Sequence, residues 1–233
     1  MDMNGKSLKI LQMGDVANRV AKKCRFLNIN EEAEQVLEQT GTVLSHGGVV
    51  ALPTDTVYGL VSLYSHSQQL LDIKKRDANK PLGLFFANPD LIFQYTYPTV
   101  GKDLLCRLLP GRVTLLLKRL PSFPSHFVYE NNLLGVRVPD SLFIQKLCAR
   151  FDEPIAQTSA NSSGKPSSVQ PDEFKELWES IDLVLTEESR GNKGREGSTV
   201  IDLSEKGSYS IVRDGCAKDH FEQILIDYGL KQR

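Results

Sequence analysis

Residues 199–212 read TVIDLSEKGSYSIV, two short apolar runs at 199–203 and 209–212 separated by a polar turn. The step between them is too short for a crossover helix, so the two runs are predicted to pair antiparallel. Similar runs fall at 49–52, 60–63, 82–86, 113–117, 134–138, 155–158 and 183–185. Amphipathic segments at 68–75, 101–109, 141–151, 171–179 and 219–228 lie between them and read as helices. A further helix is expected from Glu31, where Val36, Leu37, Val43 and Leu44 recur at helical spacing until Gly47-Gly48 stops the pattern. Strands interleaved with helices define the α/β class. Long and short connections together predict a twisted sheet of parallel and antiparallel strands with flanking helices.

Composition agrees with one globular unit: 233 residues, 40% hydrophobic and 24% charged, values close to globular averages and far from those of disordered chains. Residues 1–30 differ, holding Lys6, Lys9, Arg19, Lys22, Lys23 and Arg25 against Asp2 and Asp15 without a sustained apolar period. They read as a loose N-terminal extension ahead of a single domain at 31–233. A basic, acid-poor start has features of a mitochondrial transit peptide, against which the two aspartates count, so a cytoplasmic protein compatible with a mitochondrial pool is expected. Apolar runs such as 113–117 fall far below the roughly 18 residues of a membrane span, so a soluble protein with no integral membrane segment is expected.

Lys and Arg number 28 against 29 Asp and Glu. That balance gives no support to whole-molecule attraction to nucleic acid or anionic lipid, so an anion site must be local. Cys24, Cys106, Cys148 and Cys216 form no Cys-x-x-Cys pair, and the four histidines form no His-x-x-x-His pair. The spacing argues against a zinc or imidazole metal site, and no metal-ligating residue is predicted.

Short polar segments beside apolar runs are where an open α/β sheet builds a ligand crevice. PTDTVYG at 53–59 offers hydroxyls at Thr54, Thr56 and Tyr58, residues that also suit a simple turn. KKRDANKP at 74–81 carries four cations, which either complement a helix end or clamp a triphosphate. Arg137, centred in GVRVP, would be costly to bury alone and calls for a partner carboxylate or a ligand anion. The run 157–168, QTSANSSGKPSS, presents small neutral donors and a glycine where backbone could approach phosphate or ribose. It is no P-loop, because Pro166 follows Gly164-Lys165.

Taken in order, these segments resemble the YrdC family over roughly residues 31–230. The match comprises PTDTVYG at 53–59, Lys74-x-Arg76 followed by Lys80-Pro81-Leu82, LPG at 109–111 before VTLLL, GVRVPD at 135–140, TSAN at 158–161, GSTV at 197–200, and Arg213. The resemblance implies a mixed, twisted sheet with a cationic concave face. It implies an enzyme, a nucleotidyltransferase that condenses L-threonine, bicarbonate and ATP, with Mg²⁺, into threonylcarbamoyl-AMP and pyrophosphate. A separate transferase complex would then use the adenylate to modify adenosine beside the tRNA anticodon. By the same resemblance Thr56 and Ser198 contact threonine, Arg137 holds its carboxylate and Tyr58 forms a wall. Lys74, Arg76, Ser159, Asn161, Ser167 and Arg213 hold ATP, with Lys80 near the phosphates; Lys74, Arg76, Ser159 and Asn161 form the catalytic group.

The chain departs from the family pattern at Arg112 and Asp214, where proline is common, and at Lys75, where glycine is usual. It also ends too soon for the additional C-terminal domain of longer members, so a lid is expected from within, at 187–196. The competing expectation is a module that holds structured RNA on the basic face without catalysis. Double-stranded RNA binding is compatible with the enzyme reading and not required by it. A scarcity of aromatics near the basic cluster counts against single-strand recognition.

Overall fold

The computed structural model describes residues 24–75, 81–125, 128–187 and 194–233. Its elements are, in order, β1 (Arg25–Asn28), α1 (Ala33–Ser45), β2 (Val50–Pro53), β3 (Tyr58–Leu63), α2 (Gln68–Lys74), β4 (Gly83–Phe85), α3 (Lys102–Leu108), β5 (Val113–Lys118), β6 (Leu133–Arg137), α4 (Leu142–Cys148), β7 (Ile155–Ser159), β8 (Leu183–Thr186), β9 (Thr199–Asp202), β10 (Ser208–Arg213), α5 (Lys218–Asp227) and β11 (Lys231–Gln232). Each strand read from the sequence is present within two residues of its expected ends.

Helix α1 stops where the paired glycines require: Gly47 has φ of 76°, and the amides of Gly47 and Gly48 donate to the carbonyls of Leu44 and Val43 at 2.9 Å. The segment 171–179 is not an α-helix but a 3₁₀ segment, Pro171–Ser180. Phe174 leaves helical geometry there, at φ −129° and ψ 34°, and its fully buried ring lies 5.5 Å from that of Tyr58. Tertiary packing of one aromatic has overridden the local pattern.

Among the described residues eleven strands form one sheet, ordered β1-β8-β2-β3-β7-β4-β6-β5-β9-β10-β11. The β9–β10 pair is antiparallel, as its short connection requires, while β5–β9 and β4–β6 are parallel. Alternation along the strands serves two cores. Ala51, Tyr58 and Leu60 enter the larger, with Leu104 and Leu108 of α3 and Phe221 and Leu225 of α5. Val50, Leu52, Val61 and Leu63 enter the smaller, with Leu37 and Leu44 of α1 and Ile144 and Leu147 of α4. Both sheet faces are therefore covered, which is why the central strands read as continuous apolar runs.

Two strands escaped the sequence reading. β11 has two exposed residues and no hydrophobic signal. β1 lies within the expected extension, yet it pairs in parallel with β8 from Arg25↔Leu183 to Asn28↔Thr186. The sheet thus begins before residue 31. Residues 1–23, most of the expected extension, lie outside the described residues, as do Arg76, Lys80 and 188–193 of the expected lid.

Candidate active site

The loop between β2 and β3 is built by its own hydroxyls. Thr54 Oγ1 donates to the Val57 carbonyl at 2.7 Å and accepts the Thr56 amide at 3.1 Å. Thr54 therefore makes the turn, and the buried Thr56 turns towards β6, its Oγ1 accepting from Arg137 Nη2 at 3.0 Å. Arg137 stands on β6, three strands from β3 in sheet order. Three strand spacings amount to about 14 Å in a flat sheet. The loop and the long Arg137 side chain bridge that distance to bring the two together.

Arg137 is 4% exposed. Its Nη2 also donates to Asp55 Oδ1, the other Asp55 oxygen accepts the Asp140 amide at 3.0 Å, and the guanidinium lies 5.7 Å from the centre of the Phe85 ring. Burial lowers the Arg137 pKa, the Asp55 charge opposes that shift, and Arg213 nearby adds to it. The notion that Arg137 needs either an internal carboxylate or a ligand anion thus resolves in part: the carboxylate is Asp55, yet Arg137 still lines an open cleft.

On the strands next to β6, Ser198 Oγ lies 2.8 Å from Thr114 Oγ1, and Arg213 Nη2 donates to the Ser198 carbonyl at 2.7 Å and reaches its hydroxyl at 3.3 Å. Gly215 allows this closeness. A Cβ there would meet the Gly197 carbonyl oxygen and Ser198 backbone at 2.5 Å. The cleft is open to solvent; Thr56, Tyr58, Arg137, Ser159, Ser167, Ser198 and Arg213 all line it. Seven residues singled out in the sequence meet here from five separate segments.

Lys74 and Asn161 are placed differently. Lys74 Nζ, almost fully buried, donates to the carbonyl of Ser159 at 2.7 Å, to that of Asn161, and to Asn161 Oδ1 at 3.1 Å. Asn161 Nδ2 donates to the carbonyls of Ser162 at 3.0 Å and Lys165 at 2.6 Å. Neither side chain lines the cleft; together they brace the loop that carries Ser159 and Ser167. Arg195, in the part of the expected lid that is described, joins Glu173 at 2.7 and 2.8 Å and reaches the Ser167 carbonyl at 3.3 Å.

Sequence reasoning missed Asp55 and Thr114 as site residues, and it quoted Gln157 in the 157–168 run without giving it a role of its own. The need of Arg137 for a counter-charge was the available signal for Asp55. Thr114 and Gln157 are polar residues inside apolar strands, a weaker one. Among the described residues no group of three or more His, Cys, Asp or Glu side chains is arranged to hold a metal ion.

A mixed α/β sheet with two arginines and several hydroxyls lining one cleft defines the class of the domain. The Sua5, YciO and YrdC family model, described as "Telomere recombination", matches residues 42–215, and the chain belongs to that family. Threonylcarbamoyl-AMP synthase of Bos taurus is 39% identical over 194 residues, covering 80% of this chain and 70% of the relative. The Homo sapiens protein of the same name is 39% identical over 195 residues, with the same coverage. The crystal structure of P. abyssi Sua5 complexed with L-threonine superposes with a TM-score of 0.73 at 26% identity, over 86% of this chain and 59% of that one. The chain therefore spans about three fifths of that Sua5.

Proposed function

We propose that the protein is an L-threonylcarbamoyladenylate synthase, a nucleotidyltransferase that joins L-threonine, bicarbonate and ATP and releases pyrophosphate. The observation that carries this reading is the meeting of Arg137 with Thr56 and of Arg213 with Ser198 across one cleft. The relatives named as synthases and the Sua5 complexed with L-threonine support it.

Arg137, Thr56 and Ser198 receive the amino acid, its carboxylate on the guanidinium and its hydroxyl and amine among the small polar side chains; Tyr58 forms the wall behind them. Arg213, Ser159 and Ser167 receive the nucleotide. Arg76 and Lys80 keep the phosphate role implied by the family motif. Lys74 and Asn161 support the nucleotide side by fixing the loop from beneath. Mg²⁺ arrives on the phosphate oxygens as part of the nucleotide substrate, with no protein cage assigned.

The chemistry needs no nucleophile from the protein. The threonine amine adds to bicarbonate with loss of water, and the resulting carbamate oxygen attacks the α-phosphorus as the bond to pyrophosphate breaks. Three anionic reactants repel one another, so the contribution of the chain is fixed cations and proximity. Downstream, a transferase acting on tRNA would consume the adenylate.

The test is incubation of the protein with L-threonine, bicarbonate and MgATP, omitting each in turn, with mass detection of the adenylate and measurement of pyrophosphate. Both products are expected only in the complete mixture. Pyrophosphate release that ignores threonine, or no adenylate at all, overturns the reading.

A further inference from the structure

Arginine and carboxylate frequently meet fork to fork, two N–H donors on two oxygens. Arg137 and Asp55 do not. One guanidinium nitrogen, Nη2, takes both Asp55 and Thr56, and the second Asp55 oxygen is committed to the backbone amide of Asp140 at 3.0 Å. Arg137 Nε is left buried with no hydrogen-bond partner. A buried, charged donor without an acceptor is costly, and here it belongs to a side chain that lines the cleft. Asp55 is anchored at one oxygen and grips the guanidinium at the Nη2 corner with the other, leaving Nε and Nη1 outside the pair.

We propose that Asp55 is the positioning residue that aims Arg137 at the carboxylate of the amino-acid substrate, an inference that rests on the function proposed above. Asp55 touches no substrate itself. It is 6% exposed, and its tie to the Asp140 amide fixes it to the turn that follows β6, so the guanidinium and its counter-ion are held by the same pair of loops. A neutral residue at 55 removes the charge that holds the corner and leaves the fork to turn.

The experiment compares binding of L-threonine and L-threoninamide, in which a neutral amide replaces the carboxylate, by calorimetry on the full chain. The wild-type protein is expected to prefer threonine by at least about tenfold, since a charge-assisted pair contributes on the order of a factor of ten. In Asp55→Asn the preference should fall towards about one, while ATP affinity stays within about twofold, because only the carboxylate contact is disturbed. If Asp55→Asn does not fold, Asp55→Glu carries the same comparison. It keeps the charge but moves it by one methylene, and the preference falls if position matters. A preference retained in the folded variant, or equal weakening of both ligands, shows a merely structural role and overturns the inference alone. Wild-type protein that binds neither compound overturns the proposed function and this inference with it.

Discussion

Lys74, expected to hold the nucleotide, points at the carbonyls of residues 159 and 161 in this structure. Its type and spacing were legible in the sequence; its direction was not, because three oxygens of residues 159 and 161, more than eighty positions away, determine where the ammonium points. Lys74→Met removes the donor and leaves buried carbonyls unpaired, an effect of about 1–3 kcal/mol. Thermal melting should fall by roughly 3–10 °C, and the KM for ATP should rise by about tenfold or more as the 159–168 loop loosens. Threonine binding by calorimetry should stay nearly unchanged. Unchanged melting with lost ATP binding would show instead that the ammonium contacts the nucleotide directly. The neighbouring residue carries an independent prediction. Lys75 caps α2 with φ of 47° and ψ of 42°, the left-handed geometry that glycine adopts freely and where other residues are strained by about 1–2 kcal/mol. Greater backbone freedom in the unfolded chain offsets part of that relief, so Lys75→Gly should stabilise by about 0.5–1 kcal/mol in chemical denaturation. A destabilised Lys75→Gly would mean that the side chain makes contacts worth more than the strain.

At the scale of elements, the 3₁₀ segment works as a rail for the loop that carries Ser162 and Lys165. Glu173 holds Arg195, and Glu176 accepts from Ser162 and Lys165 at 2.8 Å each. The hydrogen bond from Lys165 is the main reason that the Glu176 carboxyl is pulled down from 4.5 to about 2. A folded pKa below the unfolded one stabilises above pH 4.5, and the effect is lost as pH falls through about 2. Lys165 and Glu176 side chains are 62% and 41% exposed, so solvent screening keeps the gain below about 1 kcal/mol. Glu176→Gln should accordingly be slightly less stable than wild type at pH 7, and urea titrations should show the two converging as pH drops from about 4.5 towards 2. A gap that keeps its full pH 7 size down to pH 2 would assign the effect to packing. This rail was only partly legible. The amphipathic pattern at 171–179 was visible, but the kink at Phe174 depends on Tyr58, which lies outside any local window. By contrast, the Gly47-Gly48 stop and the β9–β10 pairing were readable because their causes are local.

For the molecule as a whole, local pattern revealed the strands but not their order. β7 inserts between β3 and β4, and β8 between β1 and β2, choices made by contacts remote in sequence. β1 is the extreme case. RFLN at 25–28 sits in a basic, weakly periodic stretch, and its partner β8 lies more than 150 positions later. Yet its attachment is specific. Phe26 meets Trp178 edge-on with centroids 4.8 Å apart, Leu27 packs on the smaller core, Arg25 donates to Gln39 at 2.6 Å, and the Ile29 amide donates to the Thr186 carbonyl at 2.9 Å. A chain begun at Glu31 loses these contacts and leaves the β8 edge bare, whereas one begun at Cys24 keeps them. Partial burial of Leu27 and the aromatic pair together amount to roughly 2–3 kcal/mol. The shorter chain should melt about 5–10 °C below the longer one, and its exposed strand edge should make it more prone to aggregate on heating. Threonine binding should be alike in the two at low temperature, since none of the β1 residues lines the cleft. Identical melting curves would place β1 outside the cooperative unit and return the start of the domain to residue 31.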